Sequence, residues 1–256
     1  MVQASHKTIL ITGGARRIGR ALSEALAADA WNVAIHYFGS SDDAETLAHT
    51  IQQYGCQVVT LCADLSNEDE TRKLVASATD ALGPLGALIN NASIFEEEQW
   101  DDVTSDSWAQ HLNVNLHAPF ILSQDFARAL PTESYGVITN IIDQRVFNLT
   151  PNFFSYTISK SGLWTMTQTL AMALAPRIRV NGVGPGPTLA NERQTDETFM
   201  AQARATPLQR KVDVEDVVNA VKYLLGASTV TGQMIAVDSG EHLGWAQPVE
   251  GQHTDG

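Results

Sequence analysis

Three residues in the second half of the chain have types and spacings that could move a proton: Asp143, Tyr156 and Lys160. Tyr156 and Lys160 are four residues apart, so on a helix they project from the same face. An ammonium beside a phenol favours the phenolate and lowers the phenol pKa from about 10, which predicts an acid and base usable near neutral pH. The carboxylate of Asp143 would repel a developing alkoxide and instead suits a substrate rich in N–H donors. The plainer interpretation is a strand-end aspartate that faces solvent.

The segment Thr12-Gly13-Gly14-Ala15-Arg16-Arg17-Ile18-Gly19 could bind a dinucleotide. It follows a predicted strand and opens a predicted helix, which is the context that such a turn requires. Gly13 permits the tight turn, Gly19 permits close packing of helix on strand, and the helix N-terminus presents N–H groups to a pyrophosphate. Later strands end in residues suited to the same ligand: Asp64 and Leu65 for an adenine edge, then Asn91 and Ala92.

The residues after the second predicted strand favour NADP(H) over NAD. No acidic residue stands there to bind a free ribose 2′-hydroxyl. Arg16, Arg17, His36 and Ser40 could instead supply charge and donors to a 2′-phosphate. The alternative is that the arginine pair only faces solvent at the start of a helix.

Short apolar segments alternate with longer segments of helical periodicity, which predicts strand–helix units around a parallel sheet, an α/β fold. The predicted strands are 7–12, 32–36, 57–62, 87–90, 136–142, 179–183 and 233–237. The predicted helices are 18–28, 42–54, 68–82, 104–130 with an internal adjustment near Pro119, and 153–175. The polar segment 189–207 breaks this alternation, and we expect a substrate loop there, with a surface helix as the alternative.

Composition bounds the remaining possibilities. The 256 residues, 44% of them hydrophobic, predict one domain over 1–256 with a flexible tail at 245–256. The net charge of −13 argues against a nucleic-acid partner, and the absence of an unbroken apolar run of ~18–20 residues argues against a membrane span. A polar N-terminus predicts a cytoplasmic protein. Cys56 and Cys62 lack partners at metal-ligand spacing, so we expect no metal site, and we expect Cys62 in the core.

Together these motifs resemble the short-chain dehydrogenase/reductase superfamily from Thr8 to about Gly244. The resemblance implies a doubly wound, seven-stranded Rossmann sheet with helices on both faces, and a homotetramer. It also implies that Tyr156 donates the proton, that Lys160 holds the nicotinamide ribose, and that Asn115 anchors a water relay. The turn around Pro185, Gly186 and Thr188 is similar to the family's nicotinamide-side turn, with Thr188 reaching the carboxamide.

Two residues depart from the general pattern of this superfamily and narrow the resemblance to a smaller group within it. Arg17 replaces the middle glycine of the family's turn, and Asp143 replaces its serine. Both departures are features of pteridine reductases and of short-chain dihydromonapterin and dihydrofolate reductases. That resemblance implies that Arg17 touches cofactor and pterin and that Phe95 stacks on the pterin. Gly39 stands where some of these reductases carry an arginine, which implies looser selectivity for NADPH. The expected substrate contacts are Arg17, Ser93, Phe95, Asp143, Tyr156, Pro185 and Leu189, with Ser93 also a cofactor contact.

The predicted activity is NADPH-dependent reduction of a C=N bond in a pterin. Hydride reaches carbon, and a proton reaches nitrogen from Tyr156 directly or from Asp143 through water. A carbonyl reductase of the same family, acting on a 3-ketoacyl thioester, sugar or other ketone, is the alternative. A non-catalytic NADP(H)-sensing protein is a remoter alternative, against which Tyr156, Lys160 and Asn115 argue.

Overall fold

A parallel sheet forms the centre of the computed structural model, which describes residues 4–189 and 195–244. In those ranges the sheet has seven strands, as the sequence predicts: β1 (Thr8–Ile11), β2 (Asn32–Tyr37), β3 (Val58–Cys62), β4 (Ala87–Asn90), β5 (Gly136–Ile141), β6 (Ile178–Pro185) and β7 (Met234–Val237). They follow the order β3-β2-β1-β4-β5-β6-β7. Every neighbouring pair is parallel.

Helices cover both faces of the sheet, because successive strand residues point to opposite sides. The helices are α1 (Arg17–Ala28), α2 (Ser41–Gln52), α3 (Glu68–Thr71), α4 (Lys73–Leu82), α5 (Ser105–Leu112), α6 (Ala118–Ala129), α7 (Phe154–Leu174), α8 (Asp196–Arg204) and α9 (Val214–Gly226). Ile9 and Ile11 pack into one apolar cluster with α1, α2 and α9, whereas Leu10 packs into a second with α4, α6 and α7. Short 3₁₀ turns cover Gln144–Phe147 and Glu241–Leu243.

Several predicted bounds need correction. The predicted helix 68–82 divides at Arg72 into α3 and α4. In 104–130 the adjustment is a π-helical stretch, Asn113–His117, that connects α5 to α6 before Pro119 rather than at it. Helix α9 has no counterpart among the predicted helices. Cys62 is exposed because β3 is an edge strand.

The predicted substrate loop and the tail are only partly covered by the structure. Of 189–207, the part Asp196–Arg204 forms α8, and the expected role of the segment in binding substrate stays a prediction. Residues 190–194 and the tail 245–256 lie outside the described residues. Among the helices that are described, none is long and apolar enough to cross a membrane.

The strand order places a crevice where β1 and β4 lie side by side. The chain builds outward from β1 to β3 and then returns to the other side of β1 with β4. Loops that leave the carboxyl ends of β1 and β4 therefore diverge, and this point is where open parallel sheets bind ligands. The glycine turn follows β1, and Asn91 follows β4, so both lie at this crevice.

Close packing at the opposite end of β4 predicts a sensitive glycine. A Cβ at Gly86 would overlap the carbonyl oxygen of His6, which is backbone and cannot rotate away, whereas a Cβ at Gly226 meets no atom within 4 Å. We expect Gly86→Ala to lower the free energy of unfolding by about 2 kcal/mol or more. The matched change Gly226→Ala, at the end of α9, should leave that free energy unchanged or raise it by about 0.5–1 kcal/mol. Denaturant unfolding of both variants measures the difference, and equal effects would contradict the packing argument.

Candidate active site

A cleft of about 760 Å³ opens at the carboxyl ends of the strands. The site residues expected from the sequence line this one cleft, with the exception of Asn115, which lies behind it. These lining residues are Gly13, Arg16, Arg17, Ile18, Gly19, His36, Ser40, Asp64, Leu65, Asn91, Ala92, Ser93, Phe95, Asp143, Tyr156, Lys160, Pro185, Gly186, Thr188 and Leu189.

The glycine turn is held in place from β4. Gly13 has a φ of 59°, and a Cβ at Gly19 would overlap the Gly13 carbonyl, so both positions require glycine. Asn91 Nδ2 donates to the carbonyls of Thr12 (2.9 Å) and Gly13 (3.1 Å). Thr12 Oγ1 in turn accepts the N–H groups of Asn91 (2.9 Å) and Ala92 (3.0 Å). Asn91 and Ala92 therefore shape the turn that faces the cleft.

His36 also supports the turn, which corrects the expectation that its ring binds a 2′-phosphate. Its Nδ1 accepts the Gly13 N–H at 3.0 Å, and its Nε2 donates to the Ala63 carbonyl at 3.0 Å. Burial lowers the pKa of His36, although the bond to Ala63 acts in the opposite direction. The ring is therefore neutral, and both of its nitrogens already have backbone partners.

Arg17 occupies a backbone conformation that glycine adopts freely and other residues rarely adopt. Its φ is 52°, in the left-handed region, which costs about 1–2 kcal/mol for a residue with a Cβ. Its Nη2 donates to the carbonyl of Leu189 at 3.1 Å. Two expected substrate contacts from distant parts of the chain are thus brought together across the cleft.

The first turn of α1 has the features of an anion site. No side chain of the described residues caps this helix, and its first turn contains no acidic residue. Arg16, beside it, is exposed and forms an ion pair with Asp43 in the first turn of α2. Ser40 precedes α2 and makes no side-chain capping bond there. A helix N-terminus without a side-chain cap, with arginines beside it, fits the phosphates of a dinucleotide.

Tyr156 lies in direct contact with Asp143. The Tyr156 hydroxyl donates to Asp143 Oδ2 at 2.7 Å, and Asp143 Oδ1 accepts the N–H of Arg145 at 2.8 Å. Lys160 Nζ donates to the Ile141 carbonyl at 2.9 Å and lies 5.7 Å from the centroid of the Tyr156 ring. The end of β5 and the first two turns of α7 therefore bring the three residues together, and Asp143 does not face open solvent.

The protonation of this group differs from the expectation. Burial, followed by the charge and hydrogen bond of Asp143, raises the pKa of Tyr156 well above its ordinary value. Burial also lowers the pKa of Lys160 to about 8, partly offset by Asp143. The expected lowering of the Tyr156 pKa is wrong here, because the phenol is buried and touches a carboxylate while the ammonium bonds a carbonyl. Tyr156 is therefore protonated at neutral pH, which is the form of a proton donor.

Asn115 holds the loop that carries Phe95. Its Oδ1 accepts the Ile94 N–H at 2.8 Å, and its Nδ2 donates to the Ile94 carbonyl (2.9 Å) and to Ser159 Oγ (3.1 Å). The π-helical stretch places this fully buried side chain behind the cleft. The amide is engaged by protein groups, so the geometry does not support a water relay through the amide itself.

An aromatic column adds residues that the sequence did not indicate. The Phe95 ring stacks on Phe153 at 4.4 Å and meets the Tyr156 ring edge-on at 4.7 Å. The Arg145 guanidinium carbon lies 5.0 Å from the centroid of Phe153 on the cleft wall. Phe95 is therefore backed by a second ring and held against the phenol. Arg145 could have been identified from the sequence by its position, because it lies two residues after Asp143, just beyond the end of β5.

Glu241 is a second carboxylate in the cleft. It accepts hydrogen bonds from Gln144 Nε2 (3.1 Å) and Gln202 Nε2 (2.9 Å). Burial raises the pKa of Glu241, and the charge of Asp143 acts in the same direction. Its place just after β7 follows the same rule as Arg145, since loops at the carboxyl ends of parallel strands form the site.

The remaining expected residues line the walls. Thr188 Oγ1 donates to the Gly186 carbonyl at 3.0 Å, and Gly186 packs so closely on Asp238 that a Cβ there would overlap it. Ser93 is exposed at the cleft, and its hydroxyl donates to the Ile94 carbonyl at 3.3 Å. Asp64 Oδ1 accepts from both the N–H and the hydroxyl of Ser66, at 2.8 Å each. Across the residues that the structure describes, no group of three or more potential ligands could hold a metal ion.

Comparison with known proteins adds an independent line of observation. A family model described as enoyl-(acyl carrier protein) reductase matches residues 13–242. The solved FolM alternative dihydrofolate reductase 1 of Brucella canis, complexed with NADP, is 46% identical, with a TM-score of 0.92 over 97% of this chain and 98% of that one. Its counterpart from Brucella suis, also in complex with NADP, is 47% identical, with a TM-score of 0.91 over 97% and 99%.

A curated relative has a different activity in its name. The 3-oxoacyl-[acyl-carrier-protein] reductase FabG of Staphylococcus epidermidis is 29% identical over 251 residues, which cover 93% of this chain and all of the relative. Overall similarity therefore extends to reductases of both heterocycles and ketones, and the residues of the cleft must separate the two.

Lys160 provides a test of the electrostatics of the cleft. Because burial lowers its pKa from 10.5 to about 8, we expect the ammonium to be charged below pH 8 and neutral above it in the ligand-free protein. NMR titration of lysine labelled at Cε should show one resonance with that midpoint, and the Lys160→Met variant should lack it. A Lys160 midpoint above pH 10 would show that the side chain is better solvated than the structure indicates.

Proposed function

The chain belongs to the short-chain dehydrogenase/reductase superfamily, and from that premise we propose that it is an NADPH-dependent reductase of a C=N bond in a pterin. A dihydropterin, dihydromonapterin or a dihydrofolate-like molecule is the substrate class. The observation that carries the proposal is the hydrogen bond from Tyr156 to Asp143 inside the cleft.

The carboxylate at this position separates the two candidate reactions. Reduction of a ketone builds negative charge on the substrate oxygen, and Asp143 beside the proton donor would repel that charge. Reduction of a C=N bond instead produces an N–H group, and the carboxylate can accept a hydrogen bond from it. A pterin also has a ring N–H and an exocyclic amino group, both of which need acceptors at its edge.

The wall residues support a flat heterocycle. Phe95 can supply an aromatic face, because it is held in place by Phe153 and Tyr156. Arg17 reaches across the cleft towards Leu189, which places a cation where phosphate and substrate would meet. The 46–47% identity to two FolM alternative dihydrofolate reductases supports the same substrate class.

Three features support NADPH as the reductant. The first turn of α1 and Arg16 offer donors and charge to phosphates, and β2 is followed by no acidic residue before Ser40. His36 no longer contributes to this argument, since its ring supports the turn. Both FolM structures are in complex with NADP.

The chain's own residues account for the proton. Bound NADPH supplies the hydride to the ring carbon. Tyr156, which its raised pKa keeps protonated at neutral pH, gives its proton to the neighbouring ring nitrogen, and the charged Lys160 stabilises the phenolate that remains. Asp143, already bonded to the phenol oxygen, lies where it can return a proton from solvent. One hydride and one proton are consumed for each C=N bond.

Reduction of a ketone is the second candidate. The nearly full-length similarity to FabG and the enoyl-(acyl carrier protein) reductase family model favour it. Asp143 argues against it, for the electrostatic reason above. The sensing alternative has less support, because Tyr156 and Lys160 are both held in the cleft.

A direct assay tests the proposal. We expect purified protein to oxidise NADPH in the presence of 7,8-dihydrobiopterin or dihydrofolate. The loss of absorbance of the reduced nicotinamide measures this reaction. Tyr156→Phe should lower kcat by about 10²–10⁴-fold, because the proton donor is lost, while the affinity for NADPH is retained. Turnover of a ketone such as a 3-ketoacyl thioester, with no turnover of any pterin, would overturn the proposal.

Asp143 discriminates between the two reactions. We expect Asp143→Ser to lower kcat/KM for the pterin by about tenfold or more and to raise it for a ketone, since the repulsive carboxylate is gone. Asp143→Asn keeps the size of the side chain and removes its charge, so it should raise ketone reduction as well. If both variants lose activity on the pterin and on the ketone to the same extent, the proposed role of the carboxylate is wrong.

A further inference from the structure

Glu98, His111 and Ser155 form a buried polar group behind the cleft, which we call the Glu98 cluster. Their exposed fractions are 5%, 0% and 0%. Glu98 lies in the loop after β4, His111 near the end of α5, and Ser155 in the first turn of α7. Burial of a carboxylate is costly unless hydrogen bonds compensate it, so the partners of this group are informative.

The directions of the hydrogen bonds are fixed by chemistry. Ser155 donates both its backbone N–H (2.8 Å) and its hydroxyl to Glu98 Oε1. His111 Nδ1 lies 3.0 Å from the Ser107 carbonyl, which can only accept, so Nδ1 carries hydrogen and also points at Ser155 Oγ, 2.7 Å away. His111 Nε2 accepts the Glu96 N–H at 3.2 Å. One neutral tautomer of His111 satisfies every contact.

These directions exclude nucleophilic chemistry at Ser155. An activated serine gives its hydrogen to an imidazole, whereas this hydroxyl gives it to the carboxylate. The serine is also fully buried. The cluster therefore has a different use, which its neighbours in the chain indicate.

The backbone of Glu98 also caps the N-terminus of helix α7. Its carbonyl accepts the N–H groups of Phe153 (3.0 Å) and Phe154 (3.3 Å), and Phe153 has a left-handed φ of 58°. With the carboxylate on the Ser155 N–H, one residue satisfies three successive donors at the start of this helix. The orientation of α7 is therefore coupled to the loop that carries Glu98.

The two segments coupled in this way carry Phe95 and Tyr156, which lie side by side in the lining of the cleft. Phe95 lies three residues before Glu98, and Tyr156 directly follows Ser155. Their rings are 4.7 Å apart, and the His111 ring lies 6.3 Å from that of Tyr156. None of the three residues of the Glu98 cluster lines the cleft. Their contacts join the two segments that carry the Phe95 and Tyr156 rings.

We propose that Glu98 is a positioning residue: through Ser155 and His111 it fixes the Phe95 loop against the start of α7, and so sets the substrate face relative to the proton donor. The inference rests on the proposed function for its kinetic consequence but not for its structural one. Burial alone would raise the pKa of Glu98, but hydrogen bonds from Ser155 and Ser107, with a contribution from His111, outweigh it and the pKa lies below its ordinary value. Burial lowers the pKa of His111, which agrees with the neutral tautomer.

Hydrogen exchange tests the structural part without any substrate. We expect Ser155→Ala to raise amide exchange in residues 93–98 about tenfold, because a hydrogen bond to a charged group is lost. Glu98→Ala should do the same, whereas Glu98→Gln keeps an acceptor oxygen and should stay close to the wild type. Ser123→Ala is the matched control, since it removes another fully buried serine hydroxyl, bonded to the Pro119 carbonyl at 2.6 Å in α6.

Steady-state kinetics with 7,8-dihydrobiopterin and NADPH test the functional part. We expect Ser155→Ala and Glu98→Ala to raise KM for the pterin and lower kcat, each several-fold, with the Kd for NADPH unchanged and Glu98→Gln largely restored. Ser123→Ala should leave all three constants unchanged.

The outcomes separate the inference from the proposed function. If the wild-type protein reduces no pterin, the proposed function is wrong. The hydrogen-exchange experiment would still decide whether the Glu98 cluster fixes the loop at residues 93–98. Equal exchange in Ser155→Ala and Ser123→Ala would overturn the inference, as would equal damage by Glu98→Gln and Glu98→Ala. Faster exchange in the loop with unchanged kinetic constants would overturn its functional part.

Discussion

The hydrogen bond between the Tyr156 hydroxyl and the Asp143 carboxylate is the interaction on which the rest of the cleft depends. It joins the end of β5 to the first turns of α7, so the packing of that helix on the sheet is also the alignment of the site. Together with burial, which acts more strongly, it raises the pKa of the phenol, while Lys160 donates to the Ile141 carbonyl. A serine at position 143 would supply none of these electrostatic effects.

A second theme is the separation between residues that touch a ligand and residues that hold those in place. Asn91, His36 and Asn115 direct their polar atoms to backbone groups of the glycine turn and of Ile94. Polar side chains at a site are thus engaged before any ligand arrives, which lowers the entropy lost on binding. The apolar counterpart is Phe153, which backs Phe95.

The sequence predicts the strands well because each is a short apolar run bounded by turn residues, and parallel order follows from the long helical crossovers. Spacing alone also brings Tyr156 and Lys160 together, and the family resemblance adds Asp143 to them. The sequence could not indicate that His36 faces inward, because a histidine at a strand end suits either a phosphate or a backbone partner. The raised pKa of Tyr156 was equally hidden, since it depends on burial and on which neighbour touches the hydroxyl. Arg145, Glu98 and Glu241 gain their roles from contacts between distant segments.

The left-handed backbone at Arg17 sets stability against specificity at a single position. Glycine would adopt the same φ without penalty, so a mutation to glycine relieves strain and removes the cation in one step. An arginine at this position therefore costs the fold some stability, and what it adds in return is a positive charge and a contact with Leu189 on the other side of the cleft.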